Sequence, residues 1–160
     1  MKSIFFLLAG LLTLLSCKQQ ATNAAVNNQE SEVFSQQKKS DLMLLGCYTY
    51  NNAGDRVRME ITEAGTLVKG TLAVRYNEKD ANTGSFIGQV YGDTLVIDYT
   101  FQSEGLNSTR QMAYLVLDNK LLEGYGELNA EGTAFKDLGA LKFLSEKPLV
   151  KTDCNDNMSQ

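Results

Sequence analysis

The feature that most constrains this chain is a series of short stretches in which apolar and polar residues alternate, with turns about every 8–12 residues. Such alternation is typical of a β-strand with one buried face, because successive side chains point to opposite sides of the strand. It is strictest over residues 56–62. Eight strands are predicted, at 43–50, 56–62, 66–76, 86–91, 94–101, 110–117, 120–128 and 141–150. One short helical turn is expected at 135–140, and the fold as a whole is predicted to be all-β.

The predicted connections differ in length from one to the next. Connections two, four and six are short (63–65, 92–93 and 118–119), whereas connections one, three, five and seven are longer (51–55, 77–83, 102–108 and 129–140). Odd and even connections of an up-and-down meander lie at opposite ends, so one end should be closed by short turns and the other should be open. We therefore predict an eight-stranded antiparallel up-and-down barrel, with a two-sheet β-sandwich as the alternative.

Four glycines lie inside the predicted strands, namely Gly70, Gly88, Gly124 and Gly126. Glycine weakens a strand and often marks a bend or a close approach of two backbones. The four positions fit the sharp curvature of a small barrel. They also fit a sandwich with β-bulges.

The first sixteen residues have the pattern of a secretory signal peptide, with a basic start at Lys2, an apolar run over residues 4–15 and the small residue Ser16 at the cleavage point. A helix of this run would span about 18 Å, well short of the roughly 30 Å hydrocarbon core of a bilayer. A transmembrane helix is therefore disfavoured.

The residues around the cleavage point, Leu14-Leu15-Ser16-Cys17, resemble the lipobox of bacterial lipoproteins. The resemblance implies that Cys17 is diacylated on sulfur, that the chain is cut before it, and that the new amine is acylated. Several acyl chains on one residue exceed what stable membrane anchoring needs. An ordinary signal peptide, with an incidental cysteine, is the alternative.

The segment 17–42 is expected to be the lipidated cysteine followed by a disordered tether, because it is rich in Gln, Asn and Ser and cannot bury enough apolar surface to offset ordering. The barrel domain is predicted at 43–154, followed by a tail at 155–160. By resemblance to enteric lipoproteins, the absence of Asp directly after Cys17 favours the outer membrane. No acidic cluster of the surface-export kind follows, so we expect the domain to face the periplasm.

The chain contains no histidine, which removes the commonest general base and the commonest metal ligand. Serine triads, Cys-His dyads and ordinary zinc sites are thereby excluded. Without residues 1–16 the chain has 14 basic and 19 acidic side chains, and this net charge of −5 argues against a nucleic-acid partner. We expect a protein that is not an enzyme and that needs no cofactor.

Two cysteines remain once Cys17 carries lipid. Because the bacterial envelope is oxidising, the even pair Cys47 and Cys154 is interpreted as a disulfide. The first predicted strand begins and the last one ends at the closed end, so the two residues can meet there. Two buried free thiols are the alternative.

Arg110 is the strongest candidate for a binding residue. It shares a strand face with Met112 and Tyr114, so its side chain is predicted to point inward at the open end. It would anchor a carboxylate or phosphate, or it would form an ion pair with Glu104 or Glu78, and we favour the ion pair. The candidate ligand-binding residues are Tyr76, Glu78, Tyr99, Phe101, Glu104, Arg110 and Tyr114.

Asp80, Asn82 and Gly84 are spaced like part of a calcium-binding loop, but the later acidic ligands of an EF-hand are missing. We therefore expect a solvated turn there and predict no metal site.

Four motifs together resemble a family of small uncharacterised lipoproteins of Gram-negative envelopes. They are Cys47-Tyr48-x-Tyr50, Glu78-Lys79-Asp80-x-Asn82-x-Gly84, Tyr99-x-Phe101-x-Ser103-Glu104-Gly105 and Gly124-Tyr125-Gly126-Glu127. The resemblance spans roughly residues 44–154 and implies a compact lipid-anchored domain, without any activity or binding residues. The strand and loop layout is similar to that of lipocalins.

The sequence thus leads to two functional hypotheses. The first is a lipid-anchored, lipocalin-like barrel that binds a small apolar or amphipathic ligand. The alternative is an envelope interaction protein, such as an inhibitor or an assembly factor, that acts through its loops. An empty interior of about 300 Å³ or more would favour the ligand, and a packed interior would favour the protein partner.

Overall fold

The computed structural model describes residues 44–155 except residues 78, 80 and 104. Eight antiparallel strands follow one another around a closed barrel, and the first pairs with the last. They are β1 (Gly46–Asn52), β2 (Asp55–Glu63), β3 (Val68–Arg75), β4 (Asn82–Tyr91), β5 (Thr94–Ser103), β6 (Leu106–Leu117), β7 (Lys120–Gly124) and β8 (Leu149–Thr152). The predicted eight-stranded antiparallel up-and-down barrel is confirmed and is consistent with a lipocalin-like layout, and the two-sheet sandwich is excluded because the ladder closes on itself.

Within the described residues we find no helix with the length and apolar character that crossing a membrane requires.

Large apolar and aromatic side chains fill the middle of the barrel. Alternation in β2 and β3 directs one face of each strand inward, as the buried Met59 and Leu72 show. The largest fully buried side chains of the interior are Tyr48, Phe86, Tyr99, Tyr114, Met59, Leu72, Leu95, Ile97, Leu121 and Val68. Each contributes about 1.5–3 kcal/mol through burial. The middle of this barrel is therefore a packed core.

Connections one and five, which were expected to be long, are each only two residues long. Ala53 and Gly54 join β1 to β2 with φ of 51° and 89°, the geometry of a type I′ hairpin turn. Because alanine seldom adopts positive φ, the sequence carries no ordinary signal for this turn. The longer connections at one end of the barrel are therefore connection three, residues 76–81, and connection seven, residues 125–148.

Connection seven, called the linker below, begins earlier and ends later than predicted. β7 stops at residue 124 instead of 128, and β8 occupies 149–152 instead of 141–150. Isolated bridges, Tyr125–Lys142 and Leu128–Phe135, fold the linker back on itself. The short turn predicted at 135–140 is confirmed as a 3-10 turn over Leu138–Ala140.

The linker leaves the sheet at two of the glycines. The ring of Phe143 fills the space where a side chain at Gly124 would lie, and Leu141 and Phe135 do the same at Gly126. Linker side chains therefore pack where β7 was expected to continue.

The predicted disulfide joins Cys47 to Cys154, with their Cα atoms 5.1 Å apart and a sequence separation of 107 positions. It lies at the closed end, where β1 begins and β8 ends. β8 is the shortest strand and makes three residue pairs with β1 and two with β7. The bridge therefore holds the strand that closes the barrel.

Close backbone approach explains two of the other glycines. A Cβ at Gly70 would collide with the carbonyl oxygen of Glu60 on β2, and one at Gly88 would collide with the carbonyl oxygen of Val96 on β5. Tight coiling of neighbouring strands therefore demands glycine at both positions, as the sequence predicted.

We predict that Gly70→Ala lowers the free energy of unfolding by more than about 2 kcal/mol, because the new methyl group forces the β2–β3 ladder apart. Gly65→Ala is the matched control, since a Cβ there meets no atom within 4 Å. It should change stability by no more than about 1 kcal/mol. Urea unfolding followed by circular dichroism measures both, and equal stabilities of the two variants would contradict the packing argument.

Replacing both Cys47 and Cys154 by alanine should lower the free energy of unfolding by about 2–4 kcal/mol and leave the fold intact, because the packed core does not depend on the bridge. Urea unfolding of the variant, and of the unmodified chain with and without reductant, provides the test. An unfolding curve that reductant does not shift would contradict this prediction.

Candidate binding site at the open end

Aromatic and charged side chains meet at the open end, where β1, β3, β5 and β7 finish. Tyr76 follows the last residue of β3, Phe101 is near the end of β5 and Arg110 is near the start of β6. Because these strands run in alternating directions, residues that are distant in sequence share one rim. The rim therefore brings together three of the candidates chosen from the sequence.

Arg110 has the inward register that was predicted for it. It pairs with Tyr99 across the β5–β6 ladder, and Tyr99 lies fully inside the barrel. The Arg110 side chain is exposed, and its guanidinium carbon lies 5.7 Å from the ring centroid of Phe101. The Phe101 ring in turn stacks on Tyr99, with centroids 4.9 Å apart. The cation–π contact with the Phe101 ring, which is itself held by stacking on Tyr99, thus orients the guanidinium at the rim.

The ion pair that was favoured for Arg110 involves Glu104 or Glu78, and both glutamates lie outside the described residues. The four ion pairs between described side chains do not include Arg110. Its ion pair with either glutamate stays a prediction.

Two further candidates, Tyr99 and Tyr114, lie in the core. The Tyr99 hydroxyl donates to the carbonyl oxygen of Leu72 at 2.9 Å, and the Tyr114 hydroxyl lies 3.8 Å from the Met112 sulfur. Burial raises the pKa of Tyr99 to about 12 and raises the pKa of Tyr114 well above its usual range. Both phenols therefore stay protonated and support the rim from below.

A carboxylate that sequence analysis did not select, Glu123, faces the inside of the open end. It pairs with Tyr114 across the β6–β7 ladder and accepts a hydrogen bond from the Tyr125 hydroxyl at 3.2 Å. Burial raises the pKa of Glu123, although Tyr125 and Arg110 both act to lower it. The alternation of Leu121, Glu123 and Tyr125 was the signal that could have placed this carboxylate on the inward face.

Lys147 connects the linker to the rim. Its Nζ donates to Asp55 Oδ2 at 2.6 Å and lies 4.7 Å from the ring centroid of Tyr76. Asp55 Oδ1 accepts the backbone N–H of Asn77 at 2.9 Å. The hydrogen bond from Lys147 holds the pKa of Asp55 below its usual value, and the same bond raises the pKa of Lys147. No sequence pattern signals this contact, because its partners lie 92 positions apart in the sequence.

Asn82 contributes a hydrogen-bond acceptor to the open end. It pairs with the buried Val74 across the β3–β4 ladder, and its Oδ1 is buried without a hydrogen-bond partner among the described residues. The open end therefore combines cationic groups, aromatic surfaces and hydrogen-bond acceptors. Such a set can bind and orient a polar ligand with an apolar part.

A concave feature away from the rim lies on the outer wall of β4 and β5. It is a groove of about 280 Å³ lined by Leu67, Ile87, Gly88, Gln89, Tyr91, Val96, Ile97, Asp98 and Gln111. Ile87 and Tyr91 are 52% and 55% exposed. The groove is thus a partly apolar surface outside the barrel, and none of the sequence-predicted candidates lines it.

A comparison with protein-family models, with curated proteins and with solved structures finds no match to this chain. The functional argument therefore rests on the geometry and chemistry of its own residues.

The raised pKa of Glu123 has a consequence for stability. The folded state holds the proton of Glu123 to higher pH than the unfolded state does, so its contribution to stability is present below the ordinary glutamate pKa and is lost as pH rises through the raised value. Glu123→Gln should therefore stabilise the protein more at pH 7 than at pH 4, relative to the unmodified chain. Urea unfolding at the two pH values provides the measurement.

Glu127→Gln is the control for Glu123→Gln, because the Glu127 side chain is 83% exposed and pairs with Lys136 on the surface. This variant should keep the pH dependence of the unmodified chain. If Glu123→Gln also kept it, the desolvation of Glu123 would be refuted.

Proposed function

We propose that this chain is a lipid-anchored protein of the outer membrane, facing the periplasm, whose barrel binds a small amphipathic ligand at its open end. The ligand class we propose carries an acid group, a carboxylate or a phosphate, next to an apolar part. Binding, not catalysis, is proposed because the chain lacks histidine and the rim offers groups that orient a ligand.

The placement of Arg110 carries this proposal. Its guanidinium is exposed at the rim, oriented by Phe101, and forms no ion pair with a described side chain. Arginine presents several N–H donors in a planar fork that matches a carboxylate or phosphate. The partly buried rings of Phe101 and Tyr76 supply aromatic surface beside it. An acidic amphipathic ligand therefore satisfies both features of the rim.

The packed middle of the barrel limits where such a ligand can bind. Phe86, Tyr99 and Tyr114 are each at most 2% exposed. A ligand would therefore lie across the rim, with its apolar part against the aromatic residues there, and would not be enclosed in the barrel as lipocalin ligands are.

The same packed middle supports a second candidate function, an envelope interaction protein. A filled interior favours recognition through the outer surface and loops. The outer groove, with Ile87 and Tyr91 exposed, offers a partly apolar surface to a protein partner. Native mass spectrometry of the protein purified from its own host separates the two functions, because a small molecule or a protein would be retained.

The anchorage part of the proposal rests on the signal-peptide pattern and on the lipobox-like residues ending at Cys17. β1 begins at the end of the barrel opposite the rim. The chain therefore enters the barrel at the end opposite the proposed binding site.

Cys17→Ala should release the protein from the membrane fraction, because nothing in the sequence of the tether suggests an amphipathic helix that would replace the acyl chains. Fractionation of cells that express each form, with immunodetection, measures the effect. The size of the product reports whether the signal peptide has been cut. Unchanged membrane association, with the signal peptide cleaved, would contradict the lipobox interpretation.

Arg110→Ala should weaken ligand retention at least about tenfold, because a charge-assisted hydrogen bond contributes about 1.5–3 kcal/mol. Its free energy of unfolding should stay within about 0.5 kcal/mol of the unmodified value. Native mass spectrometry and urea unfolding of the same preparations measure both. Arg75→Ala is the matched control, because Arg75 is an exposed arginine at the end of β3 that belongs to the outer face.

Thermal melts distinguish a ligand anchor from an ion pair. If Arg110 pairs with Glu104, then Arg110→Ala and Glu104→Gln will each destabilise the protein and the double variant will cost less than their sum. That non-additivity would contradict the proposal that Arg110 is the residue that binds the acid group of the ligand.

A further inference from the structure

We infer that the Cys47–Cys154 disulfide is a site of thiol–disulfide exchange, at which a protein dithiol attacks the sulfur of Cys154 and expels Cys47 as a thiolate. The inference rests on how the described residues surround the two sulfur atoms.

The two cysteines differ sharply in exposure. Cys47 is 0% exposed, although it lies on the outer face of β1, next to the inward-facing Tyr48. Cys154 is exposed and lies beyond the end of β8. The disulfide therefore has one partner that is covered by protein and one that solvent reaches.

Because of the geometry of exchange, the difference in exposure between the two cysteines determines which sulfur atom is attacked. A thiolate attacks a disulfide along the line of the S–S bond, from behind the sulfur that it bonds to. Attack on Cys47 would have to come through the protein that covers it. Attack on Cys154 comes from the solvent side, so Cys154 receives the new bond and Cys47 becomes the leaving group.

Arg58 favours the same direction. Its Nη2 lies 3.3 Å from Cys47 Sγ and also donates to the carbonyl oxygen of Cys154 at 2.8 Å. A guanidinium next to a leaving thiolate stabilises its negative charge, and a better-stabilised thiolate leaves faster. The guanidinium that contacts Cys47 thus favours its departure as a thiolate.

Glu60 is a described side chain of opposite charge near the sulfur atoms. Its carboxylate lies within 4.8 Å of the sulfur atoms and 3.8 Å from Arg58 Nη2. The Arg58 side chain is 16% exposed and the Glu60 side chain is 40% exposed, so water screens the carboxylate more than the guanidinium. The more exposed carboxylate of Glu60 therefore offsets only part of the stabilisation that Arg58 gives to a thiolate at Cys47.

The exchange balances without any other reactant. The attacking thiolate forms an S–S bond with Cys154 while the Cys47–Cys154 bond breaks, and its electron pair goes to Cys47. A second thiol of the partner then attacks the mixed disulfide, which releases Cys154 as a thiolate and leaves the partner oxidised. The product is this chain with two thiols and with β8 held only by its few residue pairs.

The direction of attack is tested by trapping the mixed disulfide. The full chain carrying Cys17→Ala, with the disulfide intact, is treated with reduced glutathione, quenched with acid, alkylated and mapped by peptide mass spectrometry. We expect glutathione on Cys154 and alkylation on Cys47 in at least tenfold excess over the reverse pattern. Glutathione on Cys47, or equal amounts on both, would overturn the inference.

The role of Arg58 is tested by the rate of cleavage at pH 7. Arg58→Gln should slow cleavage by glutathione at least threefold, whereas Arg58→Lys should keep most of the rate because it keeps the charge. Arg56→Gln is the control, since Arg56 lies on the same strand but pairs with Asn51 at the opposite end of β1. Circular dichroism confirms that each variant is folded. An unchanged rate in a folded Arg58→Gln variant would overturn the electrostatic part of the inference.

Discussion

Closing a sheet into a barrel requires the first strand to pair with the last, and here that closure depends on the shortest strand. β8 makes three residue pairs with β1 and two with β7, whereas β5 and β6 pair along ten residues. So few backbone hydrogen bonds would leave the seam prone to opening. The Cys47–Cys154 bridge compensates, because it ties the end of β8 to the start of β1. The barrel is therefore held by a long ladder along one wall, and a covalent link reinforces the short seam formed by β8.

The seam and the open end are connected through the linker. Residues 125–148 leave β7, fold back through two bridges, and bring Lys147 to Asp55 and Tyr76 just before β8 begins. The position of β8 therefore determines where Lys147 lies at the rim. Arg110 is independent of this path, because it is held by the long β5–β6 ladder and by Phe101. The position of Lys147 at the rim thus depends on the pairing of β8 that closes the barrel, whereas the position of Arg110 does not.

The sequence predicted those features that depend on the order of neighbouring residues or on a simple count of residues. The alternation in β2 and β3, the even pair of cysteines and the inward register of Arg110 were all readable, because each follows from period-two geometry or from parity. Contacts that join distant segments were not readable. Lys147 meets Asp55 across 92 residues, and the turn at Ala53 uses a conformation that alanine rarely adopts. Glu123 could have been found from alternation alone, since it follows the buried Leu121 by two positions.

Residue-resolved amide hydrogen exchange, with the disulfide intact and after reduction, tests most directly whether the bridge holds the barrel closed. The amide of Lys151 on β8 donates to the carbonyl oxygen of Asn119 at 2.8 Å, so it reports on the seam. Our account predicts that reduction accelerates exchange at Lys151 and at the β1 residues paired with β8, and leaves the β5–β6 ladder protected as before. Unchanged protection of Lys151, or equal acceleration in every strand, would contradict it.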